Sequence, residues 1–333
     1  MQKAQLGAPR NVSLQLLRAA ACILVFIVHF GQRLKVDGLL LEATSFGAYG
    51  VQLFFLISGF LAAKTFSEHP DISLKEYYVK RAIAILPLYY LIMLYYFVSM
   101  NVFYHDSIPA DELGLGWLRY LFLLNGFLTS ETNFWGNLGI TWSIPVFAVF
   151  YLIAPFVLKR IKGIWSALFT WVGLFGITAI LRRFYDCDLT AKLHYLFLGV
   201  LVYFCIQKKA VPLAAAAFQV VMIGAVILGA KAIAYTFAFA TMLTVLIPIG
   251  DTLTLPTPLQ KLVNVLDKYS YTIYLVHGVV FCGIIDRVPA INSSRILVTV
   301  VAVFGTIVLT WLVGKYLEKP LQKWLTKKFV KRS

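Results

Sequence analysis

Two ionisable residues stand in the first apolar run of this 333-residue chain, Leu14 to Phe30, where a bilayer would ordinarily reject them. Arg18 and His29 are eleven positions apart. On an α-helix that spacing is about 1100° of rotation, or about 20° after whole turns, with about 16 Å of rise. Both side chains then lie on one face at two depths. A substrate with a charged head at one end and a reactive carbonyl at the other would meet both. Acyl-coenzyme A is built that way, with phosphates on its nucleotide and a thioester at the tip of a thin arm. Arg binds two phosphate oxygens at once. A neutral imidazole, with an unperturbed pKa of about 6.5, suits the removal of a proton from a hydroxyl as it attacks the thioester. The structural alternative is that Arg18 snorkels to the interface and His29 hydrogen-bonds a neighbouring helix. These two residues alone leave both open.

The elements that must position them are membrane helices. Hydrophobic residues make up 60% of the chain and charged ones 14%, with a mean hydropathy of +0.80. The apolar residues fall in blocks near the ~20 that a helix needs to cross a bilayer. The net charge of +15 does not imply nucleic acid, because the basic residues sit in short loops and in the tail Lys315 to Arg332, the pattern of orientation charge. Cys22, Cys187, Cys205 and Cys282 are scattered without a Cys-x-x-Cys pair, so neither a disulfide framework nor a metal site is expected. Nor is a cleavable signal, since the first run is too long and no small-residue cleavage site follows it.

In chain order, Lys3 and Arg10 place the amino terminus in the cytoplasm, and Leu14 to Phe30 runs outward. After a loop from Gly31 to Phe46, Gly47 to Ala63 returns to a basic loop holding Lys64, Lys75, Lys80 and Arg81. Ala82 to Phe103 goes out again. Trp117 to Thr129 is too short to cross and reads as a re-entrant or interfacial element. Ile140 to Leu158 descends to Lys159, Arg160 and Lys162, and Ile164 to Leu181 rises to Arg182, Arg183, Asp186 and Asp188. Two further runs hinge at Lys208 and Lys209, and a third, after Lys231, ends near Gly250. Tyr269 to Ile285 and Ile296 to Leu317 complete an all-α, polytopic architecture of about ten spans. Both termini are cytoplasmic, and residues 1–333 form a single domain.

Six stretches carry a resemblance. They are SLQLLRAAACILVFIVH (Ser13 to His29), GVQLFFLISGFL (Gly50 to Leu61), KRAIAILPLYY (Lys80 to Tyr90), TWSIPVFAVFYLIAP (Thr141 to Pro155), YSYTIYLVH (Tyr269 to His277) and EKP (Glu318 to Pro320). In this order they resemble the acyltransferase-3 family of integral membrane acyltransferases, especially single-domain members that O-acetylate O-antigen or exopolysaccharide. The resemblance implies a bacterial inner-membrane enzyme moving acetyl from cytoplasmic acetyl-coenzyme A to a hydroxyl of a cell-surface or lipid-linked glycan. It favours catalysis for His29 and coenzyme binding for Arg18, Lys80 and Arg81, without metal. Two departures stand out. Ala84 occupies the place of the family's second Arg in the basic motif. No acid occurs at Val146 to Val149, so another polar residue must serve or none is needed.

The remaining candidates are supporting ones. His277 either helps hold the acyl donor or is a packed, hydrogen-bonded core histidine. Tyr274 belongs to the same stretch. Trp142, with Trp117, Trp135 and nearby Asn residues, suits sugar stacking or, equally, the aromatic belt of a membrane interface. Glu318 anchors the end of the last span against a nearby Lys or Arg. Ser58 and Gly59 lack a nucleophile elbow around them and suit close helix packing. The competing function is a transporter or flippase for a lipid-linked glycan or small solute, for which broken helices and paired halves would be the mark; neither is clear in the sequence.

Overall fold

A computed structural model describes residues 11–99, 118–127 and 136–330, and every regular element among them is helical. The first helix, α1 (Val12–Leu34), starts where the Asn11 side chain accepts from Leu14 N and ends at Lys35 in the left-handed region. A short helix, α2 (Gly38–Ser45), and one 3-10 turn, Phe46–Tyr49, run directly into α3 (Gly50–Glu68). Then follow α4 (Leu74–Val98), α5 (Ser143–Leu158), α6 (Ile164–Phe184), α7 (Asp188–Gln207), α8 (Val211–Ile227) and α9 (Lys231–Ile249). The last two are α10 (Thr257–Gly278), prolonged by a π-helical stretch Val279–Ile285, and α11 (Arg295–Phe329), which contains two more π-helical stretches.

Nine of these helices are long and apolar enough to cross a membrane. The tenth expected span corresponds to α8, which has 17 residues and so lies at the short end of the ~17–25 that suffice. Several boundaries differ from those expected. The loop expected at Gly31 to Phe46 contains α2, α4 begins at Leu74 and not at Ala82, α10 begins at Thr257, and α11 continues to Phe329. At α4, α10 and α11 hydropathy marks the hydrocarbon-spanning part, whereas polar turns carry the helix beyond it. At α4 the Ser73 hydroxyl accepts from Glu76 N, and Lys75 to Arg81 are helical.

Of the short element expected at Trp117 to Thr129, both end residues lie outside the described part. Within it, residues 118–127 form a helical turn, a bend at Leu123 with φ of 58°, and a 3-10 turn Asn125–Phe127. Tyr89 and Tyr90 of α4 donate from their hydroxyls to the carbonyls of Tyr120 and Leu121, at 2.7 and 2.8 Å. The segment is thereby tied to α4.

The bundle has a tightly packed centre and a greasy rim. α3 and α7 pack so closely that a Cβ on Gly59 would lie 1.8 Å from Leu196 O, and one on Gly199 would lie 2.0 Å from Leu56 O. Small residues permit that approach between membrane helices. On the rim, α6, α8 and α11 expose Trp165, Phe169, Ile227, Phe304 and Ile307, an apolar surface that fits lipid contact. Arg182, in the last turn of α6, is paired with Asp186 at 2.9 Å, and that hydrogen bond holds the Asp186 carboxyl below the usual carboxylate range.

Candidate functional site

The site is built along one seam between α1 and α10, which run parallel. Gln15 donates to Asn264 Oδ1 at 3.0 Å, and Arg18 pairs with Asp267 at 2.9 Å and donates to Ser270 Oγ at 3.3 Å. Cys22 meets the Ser270 carbonyl. The rings of His29 and His277 lie 5.2 Å apart between centroids, and Arg33 reaches Cys282 Sγ at 3.3 Å and Asp286 Oδ2 at 2.8 Å. As α1 advances, its partners on α10 advance with it, so the polar side chains of both helices are presented in one file across the bundle. The π-helical stretch after Gly278 carries Cys282 and leads to Asp286, both against the same guanidinium.

Two cavities open on this seam. The first, about 290 Å³, is lined by Arg18, Ser58, Arg81, Ala84, Phe147 and Ser270 among others. The second, about 370 Å³, is lined by His29, Gln32, Arg33, Trp142, His277 and Cys282 among others. Val51 and Tyr274 line both, so the cavities abut at these two side chains. Tyr274 donates its hydroxyl to the Ile140 carbonyl at 2.8 Å. Its oxygen therefore accepts from Ser143 Oγ, also at 2.8 Å. Bound on both sides and buried, the ring stands at the boundary of the two chambers, one lined by Arg18 and Arg81 and the other by His29 and His277 together with Arg33.

The expected residues divide accordingly. Arg18 and Arg81 both line the first cavity, Arg81 with its guanidinium 4.8 Å from the Tyr151 ring centroid. Lys80 does not line either cavity; it pairs with Glu76 at 2.5 Å on an exposed face of α4. The adjacent numbers point apart because successive residues on a helix are about 100° apart. Ala84 lines the first cavity, and of the four residues Val146 to Val149, where no acid occurs, Phe147 gives that cavity an apolar wall.

His29, His277 and Trp142 share the second cavity. His277 is buried, and its Nδ1 lies 3.1 Å from the Ile273 carbonyl. A carbonyl only accepts, so Nδ1 carries the proton and Nε2 is the acceptor; Nε2 has no hydrogen-bond partner among the described residues. Glu318 lies away from both cavities. It is buried, with its carboxylate bonded to Thr272, to Lys319 at 3.0 Å and to Gln322 at 3.1 Å. It ties α11 to α10 and so braces the helix that carries Tyr274 and His277. Ser58 faces the first cavity but has no base beside it there, and Gly59 is the close-packing glycine described above.

Several side chains of the site were not singled out by the sequence, among them Gln32, Arg33, Asp267, Ser270 and Asp286. Asp267 and Ser270 are invisible to hydropathy because they share a segment with Lys268 and Tyr269 at the head of an apolar run. Gln32 sits three residues past His29, and Arg33 four past it, spacings that place them on neighbouring helix positions. Among the described residues no three His, Cys, Asp or Glu side chains gather as a metal group.

Residues 11–315 match the acyltransferase-3 family, described as an acyltransferase domain. Over 175 residues the chain is 28% identical to "Acyltransferase MdmB" of Streptomyces mycarofaciens, covering 51% of this chain and 44% of that protein. The match thus spans less than half the length of that relative. No solved structure matches.

Proposed function

This chain belongs to the acyltransferase-3 family, and on that premise we propose that it transfers an acetyl group from acetyl-coenzyme A to a hydroxyl of a cell-surface or lipid-linked glycan at a bacterial inner membrane. The observation that carries this reading is the abutting pair of cavities, with the guanidinium groups of Arg18 and Arg81 in one and the imidazoles of His29 and His277, beside Arg33, in the other. Arg18 and His29 are about 16 Å apart along α1. Phosphates bound at Arg18 and Arg81 leave the acyl arm to reach past Tyr274 toward His29.

In the transfer, His29 accepts the proton from the acceptor hydroxyl as that oxygen attacks the thioester carbonyl. The carbon–sulfur bond breaks, and the coenzyme thiolate takes a proton back from the imidazolium, so the ring ends as it began. Trp142 offers the acceptor chamber an aromatic face on which a sugar stacks. Lys75 in the first turn of α4, and Lys159, Arg160, Lys162, Lys208 and Lys209 in the connecting segments, support an orientation with the Arg18 end and both termini in the cytoplasm, the compartment that supplies the coenzyme.

Purified protein in lipid nanodiscs, given acetyl-coenzyme A with and without extracted glycan, tests the whole reading. Acceptor-dependent release of coenzyme and labelled acetyl on the glycan are expected. Absence of both, with folded protein and a range of acceptors, would sink it in favour of transport. Cysteine labelling should place Lys75, Lys159 and Lys208 on the same side of the membrane, opposite Asp186.

A further inference from the structure

The side chains around His29 determine which of its nitrogens carries the proton. Arg33 lies with Nη1 3.2 Å from the Gln32 side-chain atom assigned as Oε1. A guanidinium has five donors and no acceptor, so the Gln32 atom facing it must be the carbonyl oxygen; the reversed amide would oppose donor to donor. Arg33 is itself held, with Nε 3.3 Å and Nη2 2.8 Å from the two oxygens of Asp286. That fork-to-carboxylate pairing fixes the plane of the guanidinium.

The same Gln32 oxygen lies 3.0 Å from His29 Nδ1. Since it can only accept, Nδ1 must be the nitrogen that donates. From Asp286 through Arg33 and Gln32 to the imidazole, each hydrogen bond admits a single polarity. We infer that Gln32, held by Arg33 and Asp286, is a positioning residue that locks His29 as the Nδ1–H tautomer and reserves Nε2 as the base. His277 reaches the same tautomer by its bond to the Ile273 carbonyl. Two neighbouring rings in one cavity thus each offer an acceptor, and acceptors cannot bond one another. A hydroxyl can donate to either of them, and an acceptor alcohol brings one. The catalytic use of Nε2 rests on the acyl-transfer reading; the tautomer does not.

Solid-state NMR of the full chain, labelled with 15N-histidine in lipid bilayers, reads the tautomer directly, the His29 signals being those lost in His29→Asn. Wild-type His29 is expected to show protonated Nδ1 and bare Nε2. Gln32→Glu keeps an acceptor for Nδ1 and should retain the tautomer and turnover within a few-fold. Gln32→Leu removes it, and Nε2–H should appear while kcat falls roughly 10- to 100-fold, by analogy with the loss of a partner that orients a metal-bound imidazole, with KM for the acyl donor unchanged. A wild-type ring protonated at Nε2, or a Gln32→Leu protein with full kcat, overturns the inference. Acyl transfer by a wild-type protein carrying Nε2–H sinks this inference alone; an Nδ1–H ring in a protein that acylates nothing sinks the transfer reading alone.

Discussion

The two ends of the α1–α10 seam carry the same pair of charges in opposite arrangement. At one end Arg18 is the exposed partner, with 36% of its side chain accessible against 6% for Asp267. At the other the order reverses, with 17% for Arg33 and 37% for Asp286. An exposed guanidinium backed by a buried carboxylate presents a cation to whatever enters. The sheltered guanidinium also lines its cavity, but its donors are engaged by the exposed Asp286 carboxylate and by Gln32, and through Gln32 they bear on His29. On the proposed reading, identical residue types serve as a binding group at one end and a positioning group at the other. The guanidinium lines the cavity at both ends, and the difference lies in how exposed it is there.

The largest effect expected from this contrast is at His29. His29→Ala removes the proposed base while leaving the guanidinium groups of the other cavity in place. Loss of a general base costs about 10²- to 10⁴-fold in rate, while coenzyme affinity should stay near that of the wild type. Turnover per folded molecule, with titrated acetyl-coenzyme A binding, checks this. A fall that merely tracks the amount of folded protein would make His29 a packing residue and erase the contrast.

Arg18→Ala should produce the reverse pattern. Losing a hydrogen-bonded contact to a charged partner costs about 1.5–3 kcal/mol, which here appears as weakened coenzyme binding. Turnover at saturating donor should recover toward wild type. Equal loss of kcat at saturation would mean that Arg18 also sets the geometry of the reaction, and the two ends would no longer be separable.

Much of this seam was legible in the sequence. The eleven-residue spacing of Arg18 and His29 fixed their shared face because helix periodicity leaves no freedom once the run is known to be helical. The order of six stretches pointed to the family. Their partners were not legible, because Asp267 and Asp286 lie about 250 positions away in sequence, and no periodicity within α1 says which helix will lie beside it. Nor could the sequence separate Lys80 from Arg81. Both are basic and adjacent, and only the packing of α4 shows that one lines the cavity and the other pairs with Glu76.

A smaller effect sharpens the comparison through the acids. Asp267→Asn keeps an acceptor for Arg18 but removes the negative charge behind it, which opposes bound phosphates. Coenzyme binding should tighten by about 0.5 to 1 kcal/mol, a half-exposed pair being screened by solvent. Asp286→Asn, at the far end, should leave coenzyme affinity unchanged. Calorimetric titration of both variants is the measurement. Weaker binding by Asp267→Asn would show that the carboxylate matters mainly for holding the guanidinium in place.

The smallest expected effect tests the boundary of the cation-lined chamber. Lys80 is exposed and pairs with Glu76 four residues before it on α4, an arrangement worth about 0.3–0.5 kcal/mol in helices. Arg81, one residue on, lines the cavity with its guanidinium near Tyr77 and Tyr151. Lys80→Gln should therefore change stability by no more than that pair energy and leave coenzyme affinity where it was. Arg81→Gln should weaken binding measurably, since it removes a cation from the chamber itself. Both substitutions remove one positive charge from nearly the same depth, so a long-range field would make them equal, more so at low salt where screening is weak. Titrations at two ionic strengths separate the cases. If Lys80→Gln weakens binding as much as Arg81→Gln and the loss fades with added salt, the Arg18 end works by bulk charge and not by contact.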